Sequence, residues 1–202
     1  VTLEHQKIID GHAPLLSGQE LNGYVAAGIR SDHECSNVRE AKEKFARGQW
    51  IMVREGTAAH NLEALLPLFE APYAQRIMLV TDDKHPCDLL RDGHIDAIVR
   101  KAVQKGIDPV KAIKAGTYNA ASYFGLVNHG AIAPGYCADI AVLDSLTELN
   151  VLEVYKDGVL AAENGKSLVK SSVPEMGQEI QERVYHSFHV DPVNVSQLAM
   201  EK

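Results

Sequence analysis

Short apolar segments alternate with helical patterns along the first half of the chain. Four segments have the length and composition of buried strands: Lys7–Gly11, Ile29–Asp32, Trp50–Val53 and Arg76–Val80. Helical patterns lie over residues 21–26, 38–47, 62–69, 93–104 and 109–124. Local signals agree with these limits, since Asn37 stands where a helix N-cap is favoured and Gly28 where a helix ends. The alternation predicts βα units around a parallel sheet.

The pattern changes after about residue 129. A Pro134-Gly135 turn precedes another apolar strand, and the segments Val151–Lys156 and Val159–Ala162 are joined by Asp157-Gly158. An Asp-Gly pair between two apolar segments is a strong signal for a β-hairpin. This part of the chain is therefore predicted to be a small β-rich segment. Residues 171–202 are mixed, with an amphipathic helix expected near 175–184.

Reactive side chains follow each of the four predicted strands. The strands end at His12, at His33 with Glu34, at Arg54 with Glu55, and at Asp82 with Asp83. In β/α barrels and doubly wound sheets, the residues that do chemistry lie at the C-terminal ends of the strands. A single histidine after a strand is more often structural than a ligand, so the recurrence at successive strands is what favours function.

Two histidines and a carboxylate at one edge predict a divalent-metal site made by His12, His33 and Asp82. Such a metal lowers the pKa of a bound water from about 15.7 to near 7. An adjacent carboxylate can then accept the proton of the water, and a second acid can protonate the leaving group. Asp82 suits the first role and Glu34 suits the second.

Composition narrows the functional classes. The chain has 27 acidic and 20 basic residues and a formal net charge of −7, which disfavours nucleic-acid binding. No apolar run approaches the roughly 18 residues of a membrane span. The three cysteines are widely separated and odd in number, which predicts reduced thiols in a cytoplasmic protein rather than a disulfide framework.

Six motifs occur in the order that is typical of one enzyme family. They are Ile9–Pro14, Gly28–Glu34, Val53–Ala58, Val80–Pro86, Gly93–Asp96 and Gly130–Leu143. Together they resemble the adenine deaminase family of the metal-dependent amidohydrolase superfamily over about residues 7–165. Each motif is weak alone, and the ordered set carries the resemblance.

The resemblance implies roles for particular residues. His12 and His33 correspond to the metal-binding histidines after the fifth and sixth strands of the family's barrel, and Asp82 to the aspartate that binds metal and activates water. It also implies that Glu34 moves a proton to the purine ring.

The resemblance also implies substrate contacts at the mouth of the barrel. Asp83 is expected to contact a purine ring nitrogen. The other residues expected to line the mouth are Arg54, Glu55 and His85. The implied cofactor is a divalent metal, in a binuclear centre of Mn, Fe or Zn.

The chain departs from the family pattern because it contains no His-x-His pair, which the superfamily places after its first strand. A complete eight-unit barrel also needs about 250 residues, more than the 202 present. The expected fold class is therefore α/β: the second half of a (β/α)8 barrel of the TIM type over 1–128, followed by a small β-rich sandwich segment over 129–170. Residues 171–202 are expected to start a further region, and the chain to be a fragment that needs the N-terminal half of the barrel.

The expected reaction is the hydrolytic deamination of adenine to hypoxanthine and ammonia in purine salvage, with a small purine as substrate and a homo-oligomer as the assembly. Two alternatives stay open at this point. One is a dihydroorotase-like or other cyclic-amide hydrolase. The other is a non-catalytic fragment, since half of the metal ligands of the family are absent.

Overall fold

Two four-stranded sheets of different kinds are found in the part of the chain that the computed structural model describes, residues 7–170 and 176–198. The first is parallel, in the order β1 (Ile9–Gly11), β2 (Ile29–Asp32), β3 (Trp50–Arg54), β4 (Ile77–Val80). The second is antiparallel, in the order β5 (Ile140–Leu143), β6 (Val151–Lys156), β7 (Val159–Glu163), β8 (Lys166–Ser167). The predicted α/β class with a parallel sheet is confirmed.

Helices connect the parallel strands and continue beyond them. They are α1 (Gly18–Ala26), α2 (Val38–Ala46), α3 (Leu62–Leu65), α4 (Pro86–Asp92), α5 (Ile95–Gln104), α6 (Pro109–Gly116), α7 (Tyr118–Phe124) and α8 (Gln178–Tyr185). Short 3-10 turns cover Leu66–Phe69 and Val195–Gln197. Both compact units of the chain, Val1–Leu168 and Val169–Lys202, contain helix, and α8 belongs to the second.

Two helical details differ from the prediction. The sequence pattern misses α4, although Pro86 in its first turn is a recognised start signal. The side chain of His85 caps this helix. The single helix predicted over 109–124 is broken at Thr117, whose φ of −133° and ψ of −88° are not helical. The close packing of Gly116 against Ile95 accompanies this break, since a Cβ at Gly116 would lie 2.9 Å from the Ile95 side chain.

The two faces of the parallel sheet bury different sets of side chains. Register pairs Ile51 with Ile77 and Met52 with Met78. The two isoleucines join the main core with residues of the surrounding helices. The two methionines lie in a second cluster with Tyr123. Burial on both faces explains why these strands are almost continuously apolar.

The carboxyl ends of the parallel strands lie at one edge. Gly11 pairs with Asp32 at the ends of β1 and β2, and Arg54 pairs with Val80 at the ends of β3 and β4. The residues that follow the strands are therefore brought together at that edge, as the sequence predicts.

The antiparallel sheet contains the predicted hairpin. Lys156 pairs with Val159 across a two-residue loop in which Asp157 has φ 50° and Gly158 has φ 78°. Positive φ at both loop residues is the geometry that favours an Asp-Gly sequence. The segment between β5 and β6 is anchored by Arg100 of α5, which donates to the carbonyl of Leu149 at 3.2 Å.

The predicted helix near 175–184 corresponds to α8, and residue 175 lies outside the described residues. Among the residues that the structure describes, no helix combines the length and the apolar character that crossing a membrane requires.

Candidate metal centre

Three potential metal ligands meet at the carboxyl edge of the parallel sheet. His12 directly follows β1, and His33 and Glu34 directly follow β2. Each side chain offers a donor atom, and these atoms all lie within 4.8 Å of one another. The two imidazole rings have centroids 5.4 Å apart, and Nδ1 of His12 lies 3.7 Å from Oε1 of Glu34. The sequence predicted this pairing of histidines, while the position of Glu34 beside them makes it a potential ligand as well.

Asp82, two residues after the end of β4, lies beside this group, although it is not one of the three residues whose donor atoms all lie within 4.8 Å of one another. Its Oδ1 lies 3.8 Å from Nε2 of His33. The Asp82 backbone has φ 49°, a left-handed conformation that few residues other than glycine adopt and that Asp tolerates better than most. Backbone strain of this kind is concentrated at functional sites, where the surrounding structure enforces it.

Arg54 connects the two acids of the site. One guanidinium nitrogen lies 3.2 Å from Oε1 of Glu34 and 3.1 Å from Oδ2 of Asp82. Its Nε donates to the side chain of Asn61 at 3.2 Å. The sequence predicts Arg54 to be a substrate-binding residue, and the structure places it between the two candidate catalytic carboxylates.

A carboxylate that the sequence reasoning missed lies behind His33. Oδ2 of Asp10 is 3.4 Å from Nδ1 of His33, on the side of the ring away from Asp82. A carboxylate in this position orients a metal-binding imidazole and directs its other nitrogen toward the metal. An acidic residue inside the apolar strand β1 was the available signal for this role.

Asp10 is held by a chain of two buried hydroxyl groups. The Ser31 hydroxyl donates to Oδ1 of Asp10 at 2.5 Å, and the Tyr123 hydroxyl donates to Ser31 at 2.6 Å. Burial raises the pKa of Tyr123, which keeps its hydroxyl protonated to a higher pH than usual. The orientation of His33 therefore depends on residues of β1, β2 and α7.

Tyr24 of α1 packs directly under the first ligand loop. Burial, together with the negative charges of Asp32 and Asp10, raises the pKa of its hydroxyl, which makes a hydrogen bond with the backbone of His12. A Cβ at Gly11 would lie 2.1 Å from that hydroxyl oxygen. Glycine at position 11 thus permits this support of the His12 loop.

The two other strand-end loops, after β3 and β4, are joined to each other. Asp83 accepts a hydrogen bond from the backbone of Ala58 at 3.0 Å, and the His85 backbone donates to the Thr57 hydroxyl at 2.8 Å. A Cβ at Gly56 would lie 1.7 Å from a carboxylate oxygen of Asp83. In this structure Asp83 therefore contacts the loop after β3, beside the cluster of ligands.

Two of the residues expected to line the mouth make local structural contacts. Glu55 is buried and pairs with Lys101 and with Nδ1 of His60, and it accepts from the backbone of Leu62 at the start of α3. The side chain of His85 accepts from the backbone of Cys87 at the start of α4. The structure does not bring either side chain into the cluster formed by His12, His33 and Glu34.

The donor set fits a divalent transition metal. Two imidazoles and carboxylate oxygens are ligands that zinc, manganese and iron accept. Asp10 supplies the outer carboxylate that ligating histidines usually have. A metal held by these residues would make a water acidic near two carboxylates that are able to transfer protons.

Residues 1–161 match the model of the amidohydrolase family, so the chain belongs to that family. Its relatives include adenine deaminases of several bacteria. It is 54% identical over 168 residues to an adenine deaminase of Kosmotoga olearia, covering 83% of this chain and 29% of that protein. It is 47% identical over 195 residues to one of Dehalococcoides mccartyi, covering 96% and 33%. The adenine deaminase of Petrotoga mobilis is 43% identical over all 202 residues of this chain, which correspond to 35% of the length of that protein. The chain thus spans about a third of these relatives.

Solved structures support the fold. A β-aspartyl dipeptidase from Fervidobacterium islandicum superposes with a TM-score of 0.60 at 18% identity, covering 79% of this chain and 48% of that one. The N-acetylglucosamine-6-phosphate deacetylase of Thermotoga maritima gives 0.59 at 18% identity, with 80% and 55% covered. At this level of identity the likeness concerns the fold alone.

Proposed function

We propose that this chain supplies the catalytic strand ends of an adenine deaminase, which converts adenine and water into hypoxanthine and ammonia. The observation that carries the proposal is the cluster of His12, His33 and Glu34, whose donor atoms lie within 4.8 Å of one another. Asp82 lies beside this cluster. Adenine deaminases at 43–54% identity support the choice of substrate.

In this proposal, His12, His33 and Asp82 hold a divalent metal, and Glu34 lies close enough to share it. When bound, the metal acts as a Lewis acid and makes a water acidic enough to ionise at neutral pH. We propose a binuclear centre of Mn, Fe or Zn. The donor types fit all three metals, and further ligands come from the N-terminal half of the barrel.

The protein residues move the protons. Asp82 accepts a proton from the attacking water as oxygen adds to C6 of the purine, and Glu34 delivers a proton to the ring nitrogen next to C6. Asp82 then passes the proton that it accepted to the exocyclic nitrogen, which leaves as ammonia, and the remaining hydroxyl proton returns to Glu34 as the C6 carbonyl forms. Arg54 holds both carboxylates in place through its contacts of 3.2 Å and 3.1 Å.

Substrate recognition belongs to the neighbouring loops. Asp83 is proposed to accept a hydrogen bond from a purine ring nitrogen. In this structure Asp83 accepts a hydrogen bond from the backbone amide of Ala58. Purine binding would replace that amide with the N–H of the purine ring as the donor to Asp83. Arg54, Glu55 and His85 border the same loops, with Glu55 and His85 fixing their helices.

The proposed architecture is half of a (β/α)8 barrel with an appended β-sandwich segment. Its support is the parallel order β1–β4 with connecting helices, and the likeness to amidohydrolase-type folds. The N-terminal half of the barrel is the required partner. The three free thiols, Cys35, Cys87 and Cys137, are consistent with purine salvage in the cytoplasm. Assembly into a homo-oligomer stays a prediction.

A segment exchange tests this proposal. The 168 matched residues of the Kosmotoga olearia adenine deaminase are replaced by the corresponding residues of this chain, and hypoxanthine formation from adenine is followed. We expect the hybrid to deaminate adenine and to lose activity when Asp82→Asn is introduced. Asp157→Asn is the matched control, because Asp157 has nearly the same backbone φ, 50° against 49°, and lies in the hairpin loop of the antiparallel sheet.

A hybrid that folds and binds metal but opens cyclic amides instead of deaminating adenine would contradict the substrate assignment. Near-normal deamination by the Asp82→Asn hybrid would contradict the role of Asp82.

A further inference from the structure

A buried ion pair lies directly behind the candidate metal ligands. Asp32, the last residue of β2, and Lys44 of α2 are both 0% exposed, and Nζ of Lys44 lies 2.9 Å from Oδ2 of Asp32. Removing a carboxylate and an ammonium group from water costs several kcal/mol for each ion, which their attraction repays only with good geometry and further hydrogen bonds. The partners of these two side chains therefore indicate what the pair does.

Asp32 binds the backbone next to both candidate histidines. Its Oδ2 accepts from the amide of Ala13 at 2.9 Å, and its Oδ1 accepts from the amide of Glu34 at 2.7 Å. These amides belong to the residues that immediately follow His12 and His33. One carboxylate thus ties the loop after β1 to the loop after β2 at the two points where the ligands are attached.

Lys44 reinforces the same connection. Its Nζ donates to the carbonyl of Ala13 at 2.8 Å, in addition to Asp32 and Oε1 of Glu40 at 2.7 Å. The three donor positions of the ammonium group are all occupied by these acceptors. Both backbone polar groups of Ala13, its N–H and its C=O, are therefore fixed by the ion pair.

Glu40 extends the connection by one further step on each loop. Its Oε1 accepts from the amide of Leu15 at 2.8 Å, and its Oε2 accepts from the amide of Ser36 at 3.3 Å. The charged network thus contacts each ligand loop at two residues, Ala13 and Leu15 after β1 and Glu34 and Ser36 after β2. Packing of the core alone would not require these directed hydrogen bonds, since apolar side chains of similar size fill a core as well.

We propose that Asp32 and Lys44 are positioning residues that set the separation of His12 and His33, and thereby the affinity of the centre for its metal. Neither side chain touches the metal or the substrate in this proposal. It rests on the proposed metal-dependent function and goes beyond it by assigning the second layer of the site to a charged pair on β2 and α2.

Binding of Co²⁺ to the hybrid enzyme described above, which carries this chain together with the N-terminal part of the Kosmotoga olearia enzyme, tests the proposal. The visible absorption of the ion reports both affinity and ligand geometry. We expect Asp32→Asn to weaken Co²⁺ binding about 10- to 100-fold, the usual effect of losing an outer-layer partner of metal ligands. Asn retains the size of Asp but has only one acceptor oxygen, so one of the two amide contacts is lost. Lys44→Met is expected to weaken binding at least as much.

A role limited to stability is separated from positioning by a control variant. Phe69→Leu removes volume from the fully buried main core and leaves the strand-end loops unaltered. All Co²⁺ titrations are made at a temperature well below the thermal unfolding midpoint of each variant, so that every variant is folded. Positioning predicts that Phe69→Leu keeps the unaltered affinity and Co²⁺ spectrum, while Asp32→Asn changes both.

Equal Co²⁺ affinity and equal spectra for the Asp32→Asn hybrid and the unaltered hybrid would overturn the positioning proposal and leave the proposed function standing. If the Lys44→Met hybrid does not fold, Asp32→Asn decides the question alone. Absence of Co²⁺ binding by the folded, unaltered hybrid would overturn the positioning proposal together with the metal site. The separate activity of the hybrid enzyme then shows whether the proposed reaction also fails.

Discussion

At the scale of single residues, the site combines side chains that can react with side chains that hold them. His12, His33 and Asp82 carry donor atoms, while Asp10 orients His33 from behind. Arg54 joins the two acids across the site. The candidate ligands could be proposed from sequence because each lies within two residues of the end of an apolar strand. Asp10 was not predicted, because its contact with His33 arises only when β1 and β2 lie side by side.

Gly56→Ala is predicted to impair substrate recognition. The new Cβ would overlap a carboxylate oxygen of Asp83, which lies 1.7 Å from the Cβ position. Displacing Asp83 should raise the KM for adenine in the hybrid enzyme while metal content is retained. Gly23→Ala is the control, since no atom lies within 4 Å of its Cβ position and alanine is favoured inside a helix. An unchanged KM in Gly56→Ala would argue against substrate contact by Asp83.

Stability is predicted to fall above pH 9. Burial raises the pKa of the Cys35 thiol to about 12 from an ordinary value of 9.0, with the negative charge of Asp32 adding to the effect. Between these values the unfolded chain releases the thiol proton and the folded chain keeps it, so rising pH favours unfolding. Burial lowers the pKa of Lys44, but its hydrogen bonds to Glu40 and Asp32 outweigh burial and raise this pKa above the ordinary 10.5. Above pH 10.5 the folded chain therefore keeps a proton that the unfolded chain releases, which lowers the free energy of unfolding further.

Urea unfolding at pH 8, 9 and 10 measures this loss, which approaches about 1.4 kcal/mol per pH unit for one group. Cys35→Ala should flatten the dependence between pH 9 and 10, while replacement of the exposed Cys87 by alanine should leave it unchanged. A slope that persists in Cys35→Ala would assign the effect to another group.

At the scale of elements, α2 is the helix that connects the core to the site. It begins at Asn37, whose side chain accepts from the amide of Glu40 at 2.9 Å, and it carries Glu40 and Lys44 on its buried side. The cap and the length of α2 could be predicted from sequence. Its buried ion pair could not, because a lysine in a charged helix is usually solvated and only the packing of the loops shows where its ammonium group lies.

Asn37→Ala is predicted to lower the free energy of unfolding by about 1 kcal/mol, the usual cost of losing a side-chain cap. Ser17→Ala at the start of α1 is the control, because the Ser17 side chain makes no capping hydrogen bond. Urea unfolding of both variants makes the comparison. Equal losses in the two variants would contradict the role of the Asn37 cap.

At the scale of the whole molecule, a parallel sheet brings distant segments of sequence to one edge. The alternation of strands and helices predicted that sheet, and the Asp157-Gly158 pair predicted the hairpin of the second sheet. The break at Thr117 and the helix α4 were missed, because close packing at Gly116 and a short, exposed helix leave little periodic signal. Loop contacts such as those of Asp83 arise only when the strands are adjacent.

In the proposed function, His12, His33 and Asp82 are ligands of a divalent-metal centre at the carboxyl edge of the parallel sheet. Anomalous X-ray diffraction from crystals of the hybrid enzyme grown with Zn²⁺ locates the bound metal. We predict zinc about 2.0–2.1 Å from one nitrogen of each histidine and about 2.0–2.2 Å from a carboxylate oxygen of Asp82. A zinc peak at other residues, with His12 and His33 unligated in the folded protein, would contradict this prediction.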